Sequence, residues 1–219
     1  MTFTVIGRDP ASGALGVATA TGSIAVGAQV PHCRYGVGAI ATQGHTTNLR
    51  FPRRGLPLLA QGQPAAQVLR SLVDEDPERD FRQLAVMDRN GGTAGWTGRA
   101  NGDFKDHHAG DGVIVAGNIL RGPQVLEAML AAYDRTADAE LAERLLAALA
   151  AGEAAGGDRR GTCSAALLCD TGAGAALNLR IDYSEAPVAA LQALHERSRD
   201  REYRDFLRRL PDGQDLAHS

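Results

Sequence analysis

Thr2-Phe3-Thr4-Val5-Ile6-Gly7-Arg8, directly after Met1, is the stretch from which the fold is read. Phe3 to Ile6 is a β-prone run, and Arg8-Asp9-Pro10-Ala11-Ser12-Gly13 behind it is a cluster of turn formers. Ala14 to Ala20 then alternates larger residues (Leu15, Val17, Thr19) with smaller ones, so the two runs are predicted to pair as an antiparallel hairpin. The same stretch carries a chemical possibility. Thr2 is a small second residue, the kind that favours removal of Met1, and removal would leave a hydroxyl beside its own α-amine. A free α-amine has a pKa of about 7.7–8.0 and can take the hydroxyl proton near neutrality. A threonine paired with its terminal amine is a recognised activated nucleophile. A strand start also holds that terminus more rigidly than a fraying tail would.

Composition bounds the rest. The chain has 219 residues, of which 44% are apolar and 22% charged, the make-up of a globular protein with a sizeable core. One domain over 1–219 is expected, with a peripheral charged helix from about residue 187. Its 26 glycines exceed the usual ~7% share and fall within β-like segments, which implies tight turns and close backbones. A net charge of −3 supplies no field for nucleic acid or an anionic membrane. Three cysteines, no signal peptide and no spanning apolar run lead to the expectation of a reducing, cytoplasmic setting.

Downstream, Gly22-Ser23 marks a break, and after a turn at Pro31 a third strand is expected over Gly36 to Gln43. Residues 51–63, with Pro52, Gly55, Pro57 and Gly62, read as a loop with one helical turn. A helix follows Pro64 on the stripe Val68, Leu69, Leu72 and Val73. Arg82–Met87 and Thr93–Thr97 flank Asp88-Arg89-Asn90-Gly91-Gly92, a hairpin signal. A polar stretch from Arg99 to Asp111 leads to a strand at Val113–Ala116. Two amphipathic helices begin near Pro123 and Ala139, a hairpin spans Thr162–Cys169 and Ala175–Ile181, and a last helix starts near Pro187, with a solvated charged face from His195 on. Strands joined by hairpins with helices between them make an α+β protein of antiparallel sheets covered by helices. The pattern does not separate two stacked sheets from one large one.

Gly36-x-Gly38-x-x-Ala41 formally matches a dinucleotide fingerprint, but no helix opens on those glycines, so a nucleotide site is rejected. His107-His108 with Asp106 and Asp111 reads as a solvent-exposed loop rather than a metal site. Cys163-x5-Cys169 fits no zinc spacing, and no local base activates Cys33 or Cys163. Neither metal nor cofactor is expected.

Several ordered motifs carry a family resemblance: Thr2 to Pro10, Leu15-Gly16-Val17-Ala18, Ala25-Val26-Gly27, Gly36 to Gln43, Arg54-Gly55-Leu56, Arg82-Gln83-Leu84, Thr97-Gly98, Gly117-Asn118-Ile119-Leu120, Gly122-Pro123, Gly152 to Gly161 and Ser164 to Leu167. Together they resemble an N-terminal-nucleophile (Ntn) hydrolase-like family known as domain of unknown function 1028, up to about residue 194. The resemblance implies a four-layer αββα sandwich, two antiparallel sheets between helices, and brings no substrate with it. Many relatives have Ser-Arg where this chain has Thr21-Gly22. They also have His where it has Trp96, and a cysteine soon after, within the segment that is Arg99 to Asp103 here. Such positions are expected to face the pocket.

In Ntn enzymes the oxyanion is held by backbone N–H groups or an asparagine. Asn118, at a strand end, is a candidate donor, its competing role being a turn residue. Gln43, Gly44 and His45 are candidates at the end of the third strand, and Trp96 and Thr97 are candidate substrate contacts. In the glycine-rich loop, Asp158 is a candidate to orient the terminal amine and Arg160 to bind a substrate carboxylate, against a purely structural ion pair. The expected activity is hydrolysis of a small-molecule amide: Thr2 attacks, its amine serves as base and then acid, and water resolves the acyl-enzyme. The alternatives are a small-molecule or cell-wall-fragment binding module on the same fold, or an assembly protein, since Ntn subunits can form homo-oligomers.

Overall fold

The structure, a computed structural model, describes residues 2–210. Met1, on which the expected processing turns, and residues 211–219 at the end of the expected domain lie outside the described residues. The opening hairpin is present: β1 (Thr2–Arg8) pairs antiparallel with β2 (Leu15–Thr21), and Thr2 stands opposite Thr21. On its other side β1 pairs with β8 (Val113–Asn118), which puts Asn118 opposite Thr2 as well. With β7 (Asp106–Gly110), β9 (Ser164–Asp170) and β10 (Leu177–Ile181) they form a sheet of six strands in the order β10-β9-β2-β1-β8-β7. A second sheet has four strands in the order β3-β4-β5-β6: Pro31–Arg34, Gly38–Gly44, Arg82–Asp88 and Thr93–Thr97. All neighbours in both sheets are antiparallel.

Side-chain alternation sorts the core into three clusters. Phe3 and Val5 of β1 and Val113 and Val115 of β8 meet Met129 and Tyr133 of α3 (Gln124–Arg135), Leu145 and Leu149 of α4 (Leu141–Ala154), and Leu191 of α5 (Pro187–Ser198). Ile6, Val17, Ile114 and Ala166 of the larger sheet meet Ala39, Ala41, Ala85 and Met87 of the smaller. Ile40, Leu84 and Val86 meet Phe51 and Leu59 of α1 (Arg50–Ala60) and Val68 and Leu72 of α2 (Ala65–Asp74). The small residues between the sheets let them approach closely. No described helix is long and apolar enough to cross a membrane.

Four expectations need correction. Pro31 opens strand β3 rather than a turn, so the strand expected at Gly36 is the fourth and runs over Gly38–Gly44. Pro31 is tolerated there because it is the first residue of an edge strand, where a missing N–H costs nothing. Residues 51–63 are no loop: α1 has 11 residues and holds Pro57 inside it. Pro52 falls in the first turn, where N–H groups have no intrahelical partner. Phe51, Gly55 and Leu59 recur at helical spacing and are buried. Gly55 is needed for that approach, since a Cβ there would lie 2.5 Å from Ile40 Cδ1. His107 and His108 stand on strand β7, not in a loop. At the C-terminal end the helix is broken into α5 and α6 (Arg201–Leu207), and His195 is buried at 4% exposure rather than on a solvated face.

Candidate active site

The register of the larger sheet lines up one polar row across four strands: Ser164, Thr21, Thr2 and Asn118. All four are buried, Thr2 with 6% of its surface exposed. Alternation places these side chains, with Thr4 and Thr19 of the next row, on the face that carries Ile6, Val17 and Ala116 and looks toward the smaller sheet. The Thr2 hydroxyl donates to Thr21 Oγ1 at 3.2 Å. Thr4 and Thr19 share a hydrogen bond of 2.7 Å, and the Thr4 hydroxyl reaches Gln43 Oε1 at 2.6 Å.

Gln43 and Gln83 answer from the smaller sheet. Gln43 Nε2 donates to Gln83 Oε1 at 2.7 Å, and Asn118 Nδ2 donates to the same oxygen at 2.9 Å. Gln83 Nε2 sits 2.8 Å from Gly117 O, 3.0 Å from Asp106 O and 2.9 Å from Thr97 Oγ1. Thr97 Oγ1 in turn meets His107 Nδ1 at 2.9 Å. Burial pushes the His107 pKa below its ordinary value, while Asp106 opposes the shift. A connected set of side chains thus fills the end of the inter-sheet space where Ala and Val give way to amides and hydroxyls. Its one gap is Asn118 Oδ1, buried with no partner.

At the same end a cleft of about 610 Å³ opens. Thr2, Thr21, Gly44, His45, Ile119 and Arg160 are among its lining residues. Ile119 lies in the left-handed region with φ 52, an outlier for a β-branched residue. The conformation is held by its N–H on Gly102 O at 2.7 Å and by the Leu120 N–H on Phe104 O at 2.9 Å. Arg160 is the only Asp, Glu, Lys or Arg among the described lining residues, and its side chain is 51% exposed.

The expected site residues therefore divide. Thr2, Gly44, His45 and Arg160 line the cleft, while Gln43 and Asn118 are buried beside Thr2 in the polar layer. Thr97 belongs to the far end of that layer, bound to Gln83 and His107. Trp96 is elsewhere: its indole N–H donates to Arg79 O at 2.9 Å, and its ring packs beside the α1–α2 cluster. Asp158 stands behind the cleft, where its carboxylate accepts from Gly22 N at 2.6 Å and Arg160 N at 2.7 Å. Those contacts tie the 158–160 loop to the end of β2, and the Arg160 guanidinium adds a longer one at 3.5 Å. Arg159 points away, to Asp103 O at 3.2 Å. Burial pushes the Cys33 thiol up, and the Cys169 thiol up to about 12, so neither is a ready thiolate. No three described His, Cys, Asp or Glu residues gather as metal ligands.

Residues 2–191 match the model described as a family of unknown function, DUF1028. The chain belongs to that family. Over 96% of this chain and 94% of the other, it is similar to the crystal structure of protein SPO2555 from Silicibacter pomeroyi, itself assigned to DUF1028, with 35% identity and a TM-score of 0.90. Anbu (ancestral beta-subunit) from Yersinia bercovieri aligns over 95% of this chain and 98% of its own at 13% identity, with a TM-score of 0.36. No curated protein matches the chain. Within this DUF1028 chain, Gln83, Thr4 and Thr19 are the residues that sequence reading did not single out as parts of a site, whereas Thr21, expected to face the pocket, lines the cleft. The signal for the two threonines was present: threonine at every second position, at 2 and 4 and again at 19 and 21, marks one polar face on two strands otherwise rich in apolar residues.

Proposed function

We propose that this DUF1028 chain is a hydrolase of small amides that uses Thr2 as an N-terminal nucleophile, on a single domain read as a four-layer αββα sandwich. The observation that carries the reading is the position of Thr2: first residue of a central strand, nearly buried, and facing a cleft. Once Met1 is removed, the α-amine takes the Oγ1 proton as Oγ1 attacks the amide carbonyl. The resulting ammonium returns that proton to the departing amine, which leaves an ester on Thr2. Water, deprotonated by the same amine, cleaves the ester and restores the hydroxyl.

The Gly44 amide is the donor we assign to the oxyanion. Thr42 N–H reaches Val30 O across the β3 side at 3.2 Å. Gly44, two residues on, directs its N–H the same way but past Pro31, where β3 begins, and so toward the cleft. His45 N–H is already committed to Asn101 Oδ1 at 2.7 Å. Arg160, set among described lining residues without a carboxylate, favours a substrate that carries one.

Intact-mass measurement of protein from cells with normal processing is expected to show the chain without Met1. An uncleaved N-terminal tag turns the amine into an amide and removes the base, so turnover of a carboxylate-bearing amide should fall by about 10²–10⁴-fold. A chain that keeps Met1, or a tagged chain that reacts as fast as the free one, refutes the nucleophile and leaves the binding module.

A further inference from the structure

Resting on the reading of Thr2 as nucleophile, we propose that Asn118 Oδ1 accepts a hydrogen bond from the Thr2 α-ammonium, and that Gln83 is the positioning residue that turns this oxygen toward it. The argument starts from backbone carbonyls, which only accept. Asp106 O and Gly117 O lie 3.0 and 2.8 Å from one end of the Gln83 amide, so that end is the NH₂. The other end is then the oxygen, and both amides facing it must offer NH₂: Gln43 at 2.7 Å and Asn118 at 2.9 Å. The orientation of Asn118 is thereby forced, and the group it presents away from Gln83 is an acceptor.

That acceptor is the atom with no partner, buried on a residue that is 1% exposed. Asn118 stands directly opposite Thr2 in the β1–β8 register, and residues so placed have Cβ atoms about 4.5–5.5 Å apart on one face. Removal of Met1 converts a peptide N–H into a cation with three donors at that spot, which supplies what Oδ1 lacks. In the proposed reaction the ammonium forms as Oγ1 attacks and lasts until the leaving amine takes its proton. Asn118 therefore stabilises the state produced by attack rather than the oxyanion expected from sequence. Its NH₂ is spent on Gln83, and the oxyanion is left to Gly44.

The test reads the amine itself and needs no substrate. The full-length chain is labelled with acetic anhydride over a pH series, and acetylation of the Thr2 amine is followed by mass spectrometry of the N-terminal peptide. A hydrogen bond to the charged form raises a pKa. Asn118→Leu should therefore move the amine's titration down by about one pH unit, and Gln83→Leu should move it the same way by less, since its amide partner can then rotate. Thr97→Val removes a hydroxyl from the same layer but leaves Gln83 locked by the two carbonyls, so the titration should stay in place. Asn118→Asp keeps an acceptor and should titrate at or above the unmodified chain. If Asn118→Leu does not shift, or Asn118→Asp shifts down, the proposal is overturned. If Asn118→Leu does not fold, Asn118→Asp and Gln83→Leu against Thr97→Val decide the matter. Retention of Met1, seen by intact mass before any labelling, instead overturns the nucleophile reading on which the proposal rests.

Discussion

Gln83→Leu is the perturbation that most directly tests whether the polar layer is one connected network. Gln83 is fully buried, and leucine fills a similar volume without any polar atom. Two amide donors, Asn118 Nδ2 and Gln43 Nε2, lose the oxygen they share at 2.9 and 2.7 Å. The carbonyls of Asp106 and Gly117 belong to paired strands, Thr97 keeps His107, and Gln43 Nε2 keeps Thr2 O and Ala116 O at 3.4 Å, so the cost concentrates on the Asn118 donor. A buried group left unpaired costs about 1–3 kcal/mol, against a typical stability of about 5–15. At about 2–4 °C per kcal/mol for a chain of this size, the melting temperature should fall by roughly 2–12 °C. Urea unfolding, followed by the fluorescence of the single tryptophan, Trp96, should show a lower midpoint with an unchanged m-value. The double substitution Gln43→Leu with Gln83→Leu removes donor and acceptor together. It should cost less than the sum of the singles by about 0.5–3 kcal/mol. A single loss below about 1 kcal/mol, or strict additivity, would refute the network.

Gly95→Ala should destabilise by about 1–3 kcal/mol, because a Cβ there would lie 2.2 Å from the His107 ring; an unchanged urea midpoint contradicts this packing. His107 gives a pH dependence of known sign. Burial lowers its folded pKa, so the unfolded chain binds the proton first as pH falls. The stability from neutral His107 is complete above about 6.5 and declines below it, toward the folded value. His107→Gln should flatten that part of a melting-temperature profile, and an unchanged slope assigns the effect elsewhere. Asp158→Asn leaves an NH₂ facing Gly22 N or Arg160 N, so the 158–160 loop should loosen. Titration with glutarate in the inactive Thr2→Ala background should show weaker binding than in Thr2→Ala alone, and equal binding would mean that the loop does not position Arg160.

Much of this protein was legible in its sequence because local rules decided it. The Thr2–Arg8 and Leu15–Thr21 hairpin follows from a β-prone run, a turn cluster and alternation, and α3 and α4 follow from apolar stripes at helical spacing. Thr2, Gly44 and Arg160, which line the cleft, were nameable as candidates because each would carry its chemistry alone: a hydroxyl beside the chain start, a backbone donor at a strand end, a cation in a glycine-rich loop. Local rules failed where a distant partner decided the outcome. Proline punctuation in 51–63 reads as loop, yet α1 forms because Phe51, Gly55 and Leu59 have a sheet to bury against. His195 sits among charges in sequence and is buried in the fold, where α5 packs Val188 and Leu191 against the larger sheet. Asn118 looked like an oxyanion donor from its type and place in the chain. How its amide is oriented depends on Gln83, 35 residues away in sequence, and Gln83 is oriented in turn by two carbonyls of the opposite sheet. Sequence determines which polar groups each strand offers; only the packing of the two sheets determines which of them are satisfied, and so which atom is left to act.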